Sequence, residues 1–454
     1  MCDKEGEVGN NVEEIETDEH EERLERVGAI DVAKASGKVC VRLPHRSVPG
    51  RRVTKVWDVP ATTNAIAGLA DELFEMGIER VVLESTSDYW RAFFYLLEAR
   101  GICVWLVNAR EVRNVPGRPK TDKLDSIWLC KLNERGMLRP SFVPPSEIRE
   151  LRDYTRLRTD LVRERSRHKQ RVEKLLEDAL VKISTVASDV FGVSGRAMLA
   201  ALIAGERDPE VLAELAKRRM RKKIPELREA LTCRFDEHHA ELLGLLLRQV
   251  DSLSAEIDLL TCRIEELIAQ IPAAQAPADP ETGEIGGSDA ASLGVIERLD
   301  EVTGIGRPAA QAIVAEIGLN MAQFPTPGHL VSWAKVTPRT IQSGSRTRGA
   351  KTGKGNPYLK AVLGEAAAAA IGTDTFLGVR YRRLVKRTGK LKALVAIERS
   401  ILVIVWHLLS DPSARYVDLG ADFYERRIDT SRKTRDLIRQ LQALGHQVTL
   451  SPAA

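Results

Sequence analysis

The chain has 454 residues, 43% hydrophobic and 29% charged, with a net charge of +4 and a mean hydropathy of −0.20, the balance of a globular protein with room for about three domains. No run approaches the ~18 uninterrupted apolar residues of a membrane span. The longest candidate, Ser400 to Leu409, carries His407. The first residues are acidic where a signal peptide would be basic and apolar, so the expectation is a cytoplasmic protein with no membrane partner. Six cysteines without paired spacing argue against a zinc site and a disulfide framework. The adjacent pair His238 and His239 reads as helix surface or seam rather than as metal ligands.

Residues 1–26 are read as an acidic tail, with eleven acids against two bases up to residue 25. Residues 27–145 follow with strands expected at Val27 to Ala33, Lys38 to Leu43, Arg51 to Trp57, Arg80 to Glu84 and Ile102 to Val107. Helices are expected at Thr62 to Met76, at Asp88 to Ala99 and from Asp122. Three antiparallel strands feeding βαβα units are the order of a ribonuclease-H-like α/β fold. Four acids stand out in it. Asp31 interrupts one apolar run, Glu84 ends another, and Asp122 and Asp125 are three residues apart, on one side of a helix. Each alone reads as readily as a turn or helix cap. Together they form a set of hard oxygen ligands suited to Mg²⁺ or Mn²⁺, with room for phosphate oxygens.

Residues 146–271 are expected to be helical, as two long helices joined through Thr185 to Pro225. The first, Leu151 to Leu176, is crowded with bases from Arg152 to Lys174. The second carries apolar residues at Leu246, Val250, Leu253, Ile257, Leu260, Ile264, Leu267 and Ile271, an alternation of four and three. That is a heptad seam, and it predicts a coiled coil, formed within the chain or between copies in a dimer. Pro272 ends it, and the Pro-, Ala- and Gly-rich residues 272–292 read as a flexible linker.

Residues 293–427 open with VTGIGRPAAQAIVAEIG. Here Gly304 and Gly306 turn into a helix whose first amides could hold a phosphate, a helix-hairpin-helix pattern in a mainly α domain. The strand that a dinucleotide fold needs before such a turn is absent. Next comes TPRTIQSGSRTRGAKTGKGNPYLK, read as a loop in which Ser343 is surrounded by Arg339, Arg346, Arg348, Lys351 and Lys354. Residues 335–399 hold fifteen bases against three acids, the footprint of a polyanion such as DNA, although a solvated basic face reads almost as well. Residues 428–454 form a C-terminal tail.

These blocks together resemble transposases of the insertion sequence 110 family. The likeness rests on AIDVAK with Asp31, VLES with Glu84, KTDKLDS with Asp122 and Asp125, the GIG helix start, and PRTIQSG followed by TGKGNPYL with Ser343. RRLVKRTGKLKALVAIER and YVDLGADFYERR extend it, so that it covers roughly residues 27 to 427. It implies a RuvC-like DEDD domain whose four carboxylates hold the metal, and a C-terminal domain whose serine attacks DNA. It also implies a structured guide RNA and assembly as a dimer or tetramer. Ser343 would be the nucleophile, with Ser345 as runner-up. The alternatives are a RuvC-like nuclease or junction resolvase that uses water, and a non-enzymatic nucleic-acid binder. Because Ser343 lies far along the chain from Asp125, the resemblance leads us to expect a serine in a mobile basic loop that meets the carboxylates only on assembly.

Overall fold

Alternating apolar residues build the first sheet, in which β1 (Val27–Val32), β2 (Ser36–Pro44) and β3 (Arg52–Pro60) run antiparallel in sequence. After α1 (Thr63–Glu75), β4 (Arg80–Glu84) returns parallel to β1. After α2 (Trp90–Ala99), β5 (Val104–Val107) adds parallel to β4. The strand order is β3-β2-β1-β4-β5, in keeping with the ribonuclease-H-like order expected from sequence. The structure, a computed structural model, describes residues 24–84, 87–108, 121–276, 293–338, 340–343, 346–349, 352–427 and 429–451. The acidic tail (residues 1–23), residues 109–120 and most of the expected linker (residues 277–292) lie outside the described residues.

The period-2 alternation of strands divides the sheet into two faces. Ile30, Val32, Val39, Val41, Val81 and Leu83 join Ile66, Leu73, Phe93 and Leu97 of α1 and α2 in one core. Val27, Ala29, Cys40 and Val82 join Leu129, Cys130 and Leu132 of α3 (Asp122–Glu134) in the other. The two faces thus differ in what covers them. The cysteines without paired spacing include one pair that the fold brings together. The Cys130 thiol approaches the Val27 and Cys40 carbonyls at 3.5 Å each, and both side chains are free thiols in the core. Hydrogen bonding to Cys40 and burial push the Cys130 thiol upward, so it stays protonated.

The chain divides into two compact units at residues 143 and 144. The second contains both the long helices and the C-terminal segment, which sequence had separated at the linker. Its frame is α4 (Ser146–Asp178), followed by a helical insert of α5 (Ile183–Val186), α6 (Val193–Ile203), α7 (Pro209–Glu214) and α8 (Ile224–Leu231) with its own core around Met198, Leu199, Leu202 and Leu227. The frame closes with α9 (Glu237–Gln270). The helices α4 and α9 pair antiparallel. Asp178 meets His239, Arg165 meets Ser254, and Glu150 meets Arg263.

That pairing is the within-chain alternative for the seam. Val250, Leu253, Ile257, Leu260, Ile264, Leu267 and Ile271 are all buried within the chain, so the seam leaves no apolar stripe for a second copy. The α4 side of the pairing has few apolar positions among its arginines. Leu151, Val172 and Leu176 are fully buried all the same.

The C-terminal part stacks α10 (Val295–Asp300), α11 (Arg307–Ile317) and α12 (Pro327–Trp333) with α13 (Pro357–Ile371), α14 (Phe376–Thr388) and α15 (Lys390–Ser410). By length and composition α15 could cross a membrane. Its Ala393, Ile397, Ile401, Leu402 and Val405 are core residues, and Glu398 and Arg399 interrupt it. Arg298 bonds the carbonyls of Leu408, Asp411 and Ala414, closing the end of α15. The segment after it folds back: Asp418 accepts the Phe376 amide and the Tyr416 hydroxyl, and Phe423 and Tyr424 pack on Phe376. A last helix, α16 (Thr430–Ala443), has no buried residue.

Candidate active site

Sheet register decides where the first two acids stand. Asp31 and Glu84 are direct neighbours in the parallel β1–β4 ladder, at the C-terminal ends of both strands. Both continue the face that carries Val27, Ala29 and Val82, the face covered by α3. Across β2, Lys38 is opposite Asp31 and turns its ammonium to Asp58 at 2.5 Å.

The direction of α3 decides where the other two acids stand. Its C-terminal end is bolted over the starts of the strands by buried Asn133. The Asn133 amide donates to Gly28 O (3.0 Å) and Arg80 O (3.1 Å), and its own oxygen accepts from Arg80 Nε (2.8 Å). From there to Asp125 the helix rises about 12 Å. From Gly28 to Asp31 the strand advances about 10 Å. Asp125 is on the same helical side as Leu129, which is fully buried in the core of the face that carries Asp31 and Glu84. Asp122 is one turn earlier and exposed. Thr121 Oγ1 accepts the Leu124 amide at 3.3 Å as N-cap, and both aspartates occupy the first turn, where the helix dipole favours negative charge.

The serine segment, read from sequence as a loop, is a two-stranded antiparallel hairpin. β6 (Thr340–Ser343) pairs with β7 (Arg346–Gly349), and Ser343 is opposite Arg346. A two-residue Gly-Ser connection between β-prone runs was the signal for it. Arg348 is on β7 opposite Ile341, and Lys354 is exposed in the segment that follows. Ser345, Arg339 and Lys351 lie outside the described residues.

Gly304 and Gly306 do form a turn between two helices, but Gly304 has a packing role. With φ of +92°, it lies so close to α13 that a Cβ would be 2.2 Å from the Ala366 carbonyl. Gly306 is the N-cap residue of α11. The basic arm of α4 is also partly internal. Arg158 is buried, donating to Gln311 Oε1 and Pro308 O, while Arg152 and Arg156 bond α11. Asp178, His238 and His239 bring ligand atoms within 4.8 Å of one another. Yet His239 Nδ1 accepts the Asp236 amide, which leaves Nε2 to donate to Asp178. That ring joins the start of α9 to the end of α4 and keeps no lone pair for a metal.

Two sequence comparisons bear on this arrangement. A family described as Transposase matches residues 28–180, and one described as Transposase IS116/IS110/IS902 family matches residues 296–378. The chain belongs to this transposase family. No curated protein matches it. The transposase is accordingly an enzyme that cleaves and joins DNA. The first match runs from β1 through α4 and so includes all four acids; the second runs from α10 into α14 and includes the serine hairpin.

Proposed function

We propose that the protein transposes an insertion sequence by metal-assisted serine transesterification, with Asp31, Glu84, Asp122 and Asp125 holding Mg²⁺ or Mn²⁺ and Ser343 as the nucleophile. The observation that supports this is the register of Asp31 beside Glu84, on the sheet face covered by α3, whose first turn carries Asp122 and Asp125. Like charges side by side in a ladder are destabilising. A divalent cation offsets that cost, and four hard carboxylates are the donor set it takes. When bound, the metal would neutralise phosphate charge and lower the pKa of a hydroxyl near it.

The protein groups do the rest. Asp31 and Glu84 are held by backbone ladders and Asp125 by a helix bolted at Asn133, so little reorganisation accompanies the reaction. The Ser343 hydroxyl gives its proton to solvent as its oxygen attacks the scissile phosphorus, a phosphoserine bond forms, and the P–O bond to the leaving DNA strand breaks, its oxygen taking up a proton from solvent to become a free hydroxyl. Arg346 and Arg348, on the strand paired with that of Ser343, would be the cations to offset the extra negative charge. Lys386, Arg387, Lys390 and Lys392, all exposed at the junction of α14 and α15, supply a phosphate-binding face for DNA and for a structured guide RNA. Since α4 takes up the seam of α9, a dimer or tetramer would use other surfaces.

The test is a denaturing gel with labelled element ends, guide and Mg²⁺. Wild type and Ser345→Ala should give covalent protein–DNA adducts, and Ser343→Ala none. Adducts retained in Ser343→Ala and lost in Ser345→Ala would move the nucleophile by two residues. Cleavage without adducts in wild type would establish the water-using nuclease instead.

A further inference from the structure

The serine hairpin is an excursion whose two ends touch. The chain leaves α12 through Ala334 and Lys335, the latter with φ of +58°, and re-enters at Gly355. A Cβ on Gly355, whose φ is +62°, would be 2.6 Å from the Ala334 carbonyl. The next residue, Asn356, starts α13. Its Oδ1 accepts the Tyr358 and Leu359 amides at 3.0 and 3.2 Å, which leaves its amide nitrogen as the donor facing Glu316 Oε2.

Glu316 is the one carboxylate of α11, an otherwise largely apolar helix, and is 1% exposed. Arg156 of α4 holds it with two bonds, Nε to Oε1 at 2.7 Å and Nη2 to Oε2 at 2.8 Å. Burial alone would lower the Arg156 pKa, but the Glu316 carboxylate, with Tyr358 and Asp153 adding to it, more than offsets that and holds the guanidinium above its ordinary value. Arg152 adds a bond to the Glu316 carbonyl. The grip continues into the first turn of α13, where Arg156 covers the Tyr358 ring, the Tyr358 hydroxyl donates to Asp160 at 2.8 Å, and Lys360 Nζ bonds Gly353 O at 3.2 Å.

We infer that Glu316 is a positioning residue for the transposition reaction: through Asn356 and Arg156 it clamps the base of the serine hairpin to the long helix α4 and so fixes the direction from which the hydroxyl is presented. This rests on the reading of Ser343 as nucleophile. The bonds of the clamp run among Glu316, Arg156, Asn356 and the first turn of α13, so its loss is expected to act on orientation and not on affinity. A buried carboxylate shared by an arginine fork and an amide has one arrangement that satisfies every donor.

Glu316→Gln keeps the shape, breaks the arginine fork and removes the charge. We expect adduct formation at saturating DNA to slow by roughly 10- to 100-fold, as misplacement of a nucleophile does. DNA affinity should be unchanged, and hydrogen exchange should be faster across residues 352–360. The double variant Glu316→Gln with Asn356→Asp moves the carboxylate across the same contact, keeps a good N-cap and should recover rate and protection. If Glu316→Gln fails to fold, Arg156→Lys, which keeps the charge and removes the fork, should show the same split between rate and affinity. An unchanged adduct rate with faster exchange, an equal loss of rate and affinity, or no recovery in the double variant would overturn the inference. Adducts persisting in Ser343→Ala would overturn the nucleophile assignment instead, and the exchange measurement would still report whether the clamp exists.

Discussion

The two regions that carry the candidate chemistry are held by different physics. In the first unit Asp31 and Glu84 are placed by backbone, and the helix that carries Asp122 and Asp125 is anchored by the buried Asn133 side chain. A β1–β4 ladder puts Asp31 beside Glu84. In the second unit the serine hairpin is placed by side chains, through a buried carboxylate, an arginine fork and a capping asparagine. Ladders tolerate substitution of one side chain without moving, whereas a polar network loses its geometry when one member changes. Substitutions in the first region should therefore remove chemistry and spare structure, and those in the second should alter structure and chemistry together.

The largest effect is expected at Asp31. Asp31→Asn removes a ligand charge while its strand stays paired on both sides. Strand cleavage should fall by about 1,000-fold or more, with DNA binding by fluorescence anisotropy and the melting temperature close to wild type. A large drop in melting temperature would show that the acid is structural and would break the contrast between the regions.

Next in size is the seam between α4 and α9. Leu253→Ala and Leu260→Ala each open a hole inside the chain and should cost about 2–5 kcal/mol in chemical denaturation. The mass by light scattering should not change. Dissociation of an oligomer without loss of fold would return the seam to an intermolecular role.

Glycine substitutions separate packing from ligand binding at the turn before α11. Gly304→Ala forces a Cβ into the Ala366 carbonyl at a positive φ and should destabilise by about 2–4 kcal/mol. Gly306→Ala meets only Pro308 Cδ at 3.9 Å and should cost at most about 1 kcal/mol. Weaker DNA binding by Gly306→Ala at unchanged stability would support the phosphate-binding role that sequence suggests for this turn.

Much of the first region was legible because its signals are local. Period-2 apolar runs marked the five strands within a few residues of where they stand, and Thr-Asp marked the start of α3. The four acids lie on elements whose pairing follows from their order. The second region was less legible because its contacts span long separations. Nothing near Glu316 announces Arg156, and an arginine-rich helix looks the same whether its charges face solvent or a buried acid. Two local signals went unused. One is the acid within AAQAIVAEIG, and the other is the Asn-Pro that opens α13, a good N-cap before a residue suited to a first helical turn. The hairpin was read as a loop because its bases and glycines hid a four-residue alternation.

The smallest effect tests whether every buried charge of the second unit supports the fold. Glu398 on α15 is buried, and burial raises its pKa above the ordinary carboxylate value, with Lys360 pulling only partly the other way. A carboxylic acid raised on folding binds its proton more tightly in the native state. Its contribution to stability is therefore complete below the unfolded pKa and is lost as pH rises through the folded one. Glu398→Gln carries no such penalty. It should melt higher than wild type at pH 7 to 8, and the difference should shrink as pH falls below the usual carboxylate range, in thermal scans across that interval. This sets Glu398 apart from Glu316, which is held by an arginine fork. A Glu398→Gln variant less stable than wild type at neutral pH would show that Lys360 offsets the burial fully, and would place Glu398 with Glu316 among the charges that hold the second unit together.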